Sequence, residues 1–207
     1  CSRLPMGWED YFPTMRVTPL EPIVLAENDP SRGAGVHASD IYGSLYQVLD
    51  PKRYRKDEPM DWNRIALGLA WEQYLERRFL ALGLNVSRPG EFLSPHGFSY
   101  TPDLFEFNGK FRIGETKLTW MSSKGWPKGP TNSLPPRFDK WLSQMKLYCH
   151  ETETPYATLY PYFVNGGSQR SYREAVPEFS PLEIEFTPQE LRENFSVPHY
   201  TVKKPGW

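Results

Sequence analysis

The chain has 207 residues, of which 39% are hydrophobic and 15% aromatic, with 24 Lys and Arg against 25 Asp and Glu. That length allows one domain with a sizeable core, the aromatic content excludes a disordered chain, and a single mixed α/β unit is the expected architecture. A net charge of −1 excludes a global field toward nucleic acid, so any affinity for a polyanion must come from local basic surface and bound cations. Two cysteines, Cys1 and Cys149, can form neither a disulfide framework nor a four-thiolate cluster. The many polar, charged stretches fit a reducing interior, so a cytoplasmic protein is expected, in the host cytoplasm if the chain is viral; no apolar run approaches ~18 residues, so no membrane span is expected.

Residues 1–35 are Pro-rich and aperiodic and are expected to form an arm packed on the domain. Ser39 or Asp40 is placed to cap a helix through Leu49, ended by Pro51. A second helix is expected from Asp61 to about Leu82, with Gly83 as its stop. Residues 98–118 alternate around Asn108-Gly109 and predict a β-hairpin. A loop follows over Leu118–Arg137. Phe138, Trp141, Leu142, Met145 and Tyr148 then recur at helical spacing and predict a helix over about 137–150. A strand over Tyr156–Val164, a strand around Leu182–Phe186 and a short helix from near Pro188 complete the expected domain, 36–190. Residues 191–207 are expected to be a tail.

Phe111, Ile113, Glu115 and Lys117 alternate along one strand, so they leave the same face. They are either the end of a core strand emerging as an exposed ion pair or one wall of a site. The second reading needs another carboxylate, and Asp103 supplies it in one hairpin register. A strict two-residue turn would put Asp103 opposite Gly114, on the wrong face. A three-residue loop, Phe107-Asn108-Gly109 with Gly109 left-handed, puts it on the face of Ile113 and Glu115. Glu72 shares a helix face with Ile65, Leu69, Leu75 and Phe79, so it is expected to face the core. A carboxylate there is costly without a cation, or without a partner such as Arg77, Arg78 or a backbone amide. Three carboxylates suit Mg2+ or Mn2+; zinc is disfavoured because Cys/His ligand spacing is missing.

The loop after Glu115 is locally positive, carrying Lys117, Lys124, Lys128 and Arg137. Trp120 and Trp126 are either stacking platforms for exposed bases or tryptophans tucked into the core.

Thr101-Pro102-Asp103, twelve residues before Glu115-Thr116-Lys117, resembles the signature of the PD-(D/E)xK nucleases. Gly68-Leu69-Ala70-Trp71-Glu72 resembles the G-x-x-x-E helix of the RecB-type branch, and Gln144-Met145-Lys146-Leu147-Tyr148 resembles its Q-x-x-x-Y helix. His37, before Ser39-Asp40, is similar to its upstream metal-binding histidine. The resemblance covers about residues 36–190. It implies a restriction endonuclease-like α/β fold, a mixed central sheet flanked by helices, and hydrolysis of DNA phosphodiesters. Asp103, Glu115, the Thr116 carbonyl and His37 would be metal ligands, with Glu72 nearby as a further ligand or just behind them; Asp103, Glu115 and Glu72 would be catalytic, with Lys117 as the catalytic lysine. Gln144, Tyr148 and Lys140 would meet DNA or support the site. Iron–sulfur cysteines are absent, so no cluster is implied. The resemblance favours an exonuclease of recombination, repair or phage DNA metabolism. The alternative is a catalytically silent nuclease-fold protein serving a larger assembly. DNA is the expected partner, with a homo-oligomer or partner protein possible and no membrane.

Overall fold

A computed structural model describes residues 36–49, 62–167 and 176–202, with side chains as far as Val197. The expected arm over residues 1–35 and the boundary residues Pro51 and Asp61 lie outside the described residues. In chain order the elements are α1 (Ala38–Leu49), α2 (Trp62–Ala81), β1 (Val86–Ser87), β2 (Phe92–Leu93), β3 (Ser99–Tyr100), β4 (Leu104–Glu106) and β5 (Arg112–Thr119). A 3-10 turn at Pro136–Phe138 leads into α3 (Asp139–Glu151), followed by β6 (Tyr156–Phe163), β7 (Glu178–Phe179), β8 (Leu182–Glu185) and α4 (Pro188–Val202).

The central sheet runs β1-β4-β5-β6-β7, with β8 also paired to β6. β5 and β6 are parallel and the other pairs antiparallel. A parallel pair needs a long crossover, and the loop with α3 provides it. β2 and β3 form a separate antiparallel ribbon. This is the mixed α/β sheet flanked by helices that the motifs imply.

Side-chain alternation divides the core in two. On one face Leu75 and Phe79 of α2 pack against Val86, Leu104 and Tyr160. On the other, Ile113, Ala157, Leu159 and Phe163 lie under Ile41 and Tyr42 of α1 and Met145 and Tyr148 of α3.

Several boundaries differ from expectation. Ser39 and Asp40 lie inside the first turn of α1, and the His37 carbonyl accepts from Asp40 N and Ile41 N at 3.0 and 3.2 Å, so the helix begins earlier. The final helix is not short and residue 191 does not begin a tail. α4 spans 15 residues, and Leu191, Phe195 and Val197 pack on the core.

The hairpin register is also corrected. The pairs are Leu104↔Gly114, Phe105↔Ile113 and Glu106↔Arg112, leaving the five-residue connection Phe107–Phe111 rather than a three-residue loop. Asn108 is drawn out of a tight turn because its Oδ1 accepts from Asn85 N at 2.9 Å. Phe107 and Phe111 stack across the base of the loop, centroids 5.3 Å apart. Gly109 is left-handed at φ +81°. The shift from the expected register is two residues, which preserves strand parity and therefore the faces.

Candidate active site

β5 carries Ile113, Glu115 and Lys117 on the α1–α3 face. Glu115 is fully buried. Its Oε1 accepts from the Lys117 ammonium, while Oε2 is buried without a hydrogen-bond partner. Burial first, then the nearby Asp103, push this carboxyl up to about 8 against the pull of Lys117. Burial lowers the Lys117 ammonium, but Glu115, Asp103 and Glu72 outweigh it and hold the group above its ordinary value. Lys117 is also the more open partner, with 23% of its side chain exposed.

Asp103 stands just before β4. Because the ladder begins only at Leu104, the Thr116 amide beyond it is left to the Asp103 side chain. Asp103 Oδ2 accepts from Thr116 N at 2.7 Å and from Thr116 Oγ1 at 3.0 Å. This locks the carboxylate beside β5.

Glu72 comes from α2, across the sheet from α1 and α3. Where β4 is present it would separate the two layers. Beyond the start of β4 they meet around a cavity of about 400 Å³, lined by His37, Glu72, Arg88, Asp103, Gln144 and Tyr148 among others. Glu72 Oε2 accepts from Arg88 Nη2 at 2.8 Å. Its carboxyl is pushed up to about 8, by burial and then by Asp103, with Arg88 and Lys117 opposing and Glu115 a smaller push upward. The four charged groups of the motif therefore share one electrostatic neighbourhood. The partner of Glu72 is Arg88; Arg77 and Arg78 are exposed elsewhere on α2.

His37 is buried in the cavity wall, with Nδ1 3.4 Å from Glu91 Oε2. Gln144 Nε2 donates to the Tyr148 hydroxyl at 2.6 Å, and the Tyr148 ring packs 6.0 Å from that of Tyr100. Tyr148 is thus both core and cavity wall. Burial and the charge of Lys117 depress the Lys140 ammonium, opposed by Asp40, so Lys140 also belongs to this neighbourhood.

Among the described residues no group of three or more His, Cys, Asp or Glu side chains is positioned to hold a metal. The expected ligands are each engaged locally: Glu72 with Arg88, Glu115 with Lys117, Asp103 with Thr116 and His37 with Glu91. Sequence reading did not find Arg88 or Glu91. They lie in the connection between β1 and β2, where no periodicity or motif marks them.

The loop after β5 divides. Trp126 is a core residue, not a stacking platform. It is 3% exposed, its ring packs against Phe138 and Phe163 at 5.0 and 5.1 Å, and its indole N–H donates to Ser180 O at 3.0 Å. Trp120 is half-buried beneath the Arg64 guanidinium, 5.2 Å from its ring centre. Lys124 is exposed, and Lys128 pairs with Glu178.

No family model matches the sequence, and no curated protein matches it either. Among solved structures the chain is similar to a phage-related exonuclease from Haemophilus somnus 129PT, with a TM-score of 0.50 and 14% identity over 80% of this chain and 78% of that one. It is also similar to an alkaline exonuclease from Laribacter hongkongensis, with a TM-score of 0.49 and 17% identity over 82% and 88%. With its mixed sheet between helical layers and its overlap with the phage-related exonuclease, the chain shares that protein's fold, a mixed central sheet flanked by helices as the motifs imply.

Proposed function

We propose that the chain is a divalent-metal-dependent deoxyribonuclease, an exonuclease acting on DNA ends in recombination, repair or phage DNA metabolism. The observation that carries this reading is Glu115: a wholly buried carboxylate with one oxygen on an ammonium and the other on nothing. Leaving such an oxygen unmatched costs several kcal/mol unless a cation or donor compensates it, at roughly the scale known for buried charges. The resemblance to an exonuclease fold supports the same reading.

The oxygen-rich donor set suits Mg2+ or Mn2+. Asp103 and Glu115 would hold it with the Thr116 carbonyl and His37, and Glu72 would be a further ligand. The Thr116 N–H already faces Asp103, and a strand residue presents its N–H and C=O to the same side. When bound, such a cation polarises phosphate oxygens and lowers the pKa of a coordinated water.

The protein's own residues do the rest. Thr116 fixes Asp103 through two donors. Glu115, whose carboxyl is raised to about 8, would hold the cation through Oε2 in its ionised form. Lys117, as a compact cation with mobile donors, orients the attacking water and stabilises charge developing on the phosphate. Gln144, Tyr148 and Lys140 border the phosphate path, and Lys124, Lys128 and Trp120 extend it along the basic loop. A silent scaffold has no need to retain Asp103, Glu115 and Lys117 together.

Matched linear and circular DNA incubated with Mg2+, Mn2+ or EDTA test this reading. Degradation confined to linear DNA, blocked by EDTA and abolished in Lys117→Ala, is the expected result. Equal activity in the variant overturns the mechanism, and inactivity on all DNA favours the scaffold.

A further inference from the structure

The connection Arg88–Glu91 touches two of the expected ligands at once. Arg88 pairs with Glu72, and Glu91 approaches His37. Within this segment Gly90 is left-handed at φ +79°, a bend that glycine adopts without strain, placed between the residue that meets Glu72 and the one that meets His37. Arg88 is the more informative residue. Its bond to Glu72 uses Nη2 alone, although a guanidinium carries five N–H donors in a planar fork. The side chain lines the cavity and is 30% exposed, so Arg88 borders the space that the substrate would fill. Glu72 meanwhile lies near a second acid, Asp103, which adds to the cost of its charge, while Arg88 lowers that cost.

We infer that Arg88 is a cation with two successive partners: it holds Glu72 in the metal-free protein and turns to a phosphate oxygen of the DNA once a divalent cation takes Glu72. This rests on the metal-dependent nuclease reading and adds a binding residue to it. A guanidinium matches the geometry of a phosphate, and the same fork holds a carboxylate equally well, so the exchange requires no new side chain. Arg88 and the metal then compete for one carboxylate.

Competition gives a sign that a merely orienting role would reverse. A residue that only positions a metal ligand typically weakens metal binding by about 10–100-fold when removed. A competing cation strengthens metal binding when removed, here by roughly tenfold, within the ordinary range of site-to-site coupling. The first experiment is calorimetric titration of the DNA-free chain with Mn2+, using the wild type, Arg88→Ala and Arg88→Lys. Tighter Mn2+ binding in Arg88→Ala, with Arg88→Lys close to the wild type, is expected. Weaker binding in Arg88→Ala overturns the exchange.

The second experiment measures binding of a short fluorescent DNA in EDTA by anisotropy, so its outcome does not depend on any metal. Arg88→Ala should change little in the wild-type background, because Arg88 is held by Glu72. In Glu72→Gln, which frees Arg88, the same substitution should weaken DNA binding about tenfold, a non-additivity of the kind double-mutant cycles detect. Equal effects in both backgrounds overturn the inference. Failure of the wild type to bind Mn2+ counts against the metal-dependent reading itself, while the EDTA cycle still decides whether Glu72 restrains Arg88. Melting temperatures of the variants show that each compared protein is folded.

Discussion

Lys117 donates to Glu115 Oε1 across one two-residue step of β5, while Oε2 of the same carboxylate is buried with no partner. One oxygen of this acid has a cationic donor and the other has no partner. The ammonium therefore serves twice, as counter-charge in the metal-free protein and as catalytic donor in the proposed reaction.

Lys117→Ala is expected to reduce cleavage of linear DNA by at least about 100-fold, the scale of losing one donor to a developing charge. Removing one partner of a buried ion pair costs about 3–5 kcal/mol when the other stays charged. Glu115, already raised to about 8, can instead take a proton. The loss of stability in Lys117→Ala should therefore be smaller at pH 6 than at pH 9, as read by urea unfolding at both pH values.

The metal-free protein should lose stability as pH rises from about 4.5 to about 8. Glu72 and Glu115 titrate at about 8 in the fold against an unfolded value of 4.5, so the fold retains protons that the unfolded chain has released. Glu178, held down to about 2 chiefly by Lys128 and Ser123, and Glu190, lowered by its Thr187 amide, work in the opposite sense. Their contribution is present above 4.5 and is lost as pH falls through their folded values. Melting temperatures in EDTA should therefore decline between pH 5 and pH 9, less steeply in Glu115→Gln. A rising profile contradicts the account.

Trp126→Ala should cost about 3–5 kcal/mol of stability, as large-to-small core substitutions do. Trp120→Ala, at a half-buried position, should cost clearly less stability than Trp126→Ala and weaken single-stranded DNA binding by roughly 1–3 kcal/mol, the scale of one stacked base. Urea midpoints and fluorescence anisotropy separate the two.

Gly114→Ala would place a methyl group 2.7 Å from Glu106 Oε1 and 2.8 Å from Leu104 Cβ. It should force β4 from β5 at a cost of about 1–3 kcal/mol and carry Asp103 away from Thr116, lowering both stability and cleavage. Gly109→Ala meets nothing within 4 Å but forces alanine to φ +81°, at roughly 1–2 kcal/mol. It should lower stability without changing kcat, as urea unfolding and steady-state cleavage would show.

The long elements were legible because periodicity marks them: α2, α3, β5 and β6 follow the spacing of their buried residues. The Asp103–Glu115 relationship was legible through strand parity, although the register was two residues off. Contacts that alternation does not reveal caused that error: Asn108 binds the distant Asn85, and Phe107 stacks on Phe111 within the loop. Arg88 was invisible because its partner, Glu72, is 16 residues away on another element. Trp126 stayed open between surface platform and core because its Pro-, Gly- and Lys-rich neighbours gave no sign of burial. α4 looked short because its packing against α3 comes from tertiary contact rather than from a strong apolar stripe.

The most direct test of the central claim is a manganese anomalous map from crystals of the protein soaked in Mn2+. The account predicts one ion touching Glu115 Oε2 and an Asp103 oxygen at about 2.1 Å, an ordinary metal–oxygen distance for a small divalent cation, and its loss in Asp103→Asn. An ion bound elsewhere, or none at these oxygens in a crystal that cleaves DNA when dissolved, would contradict it.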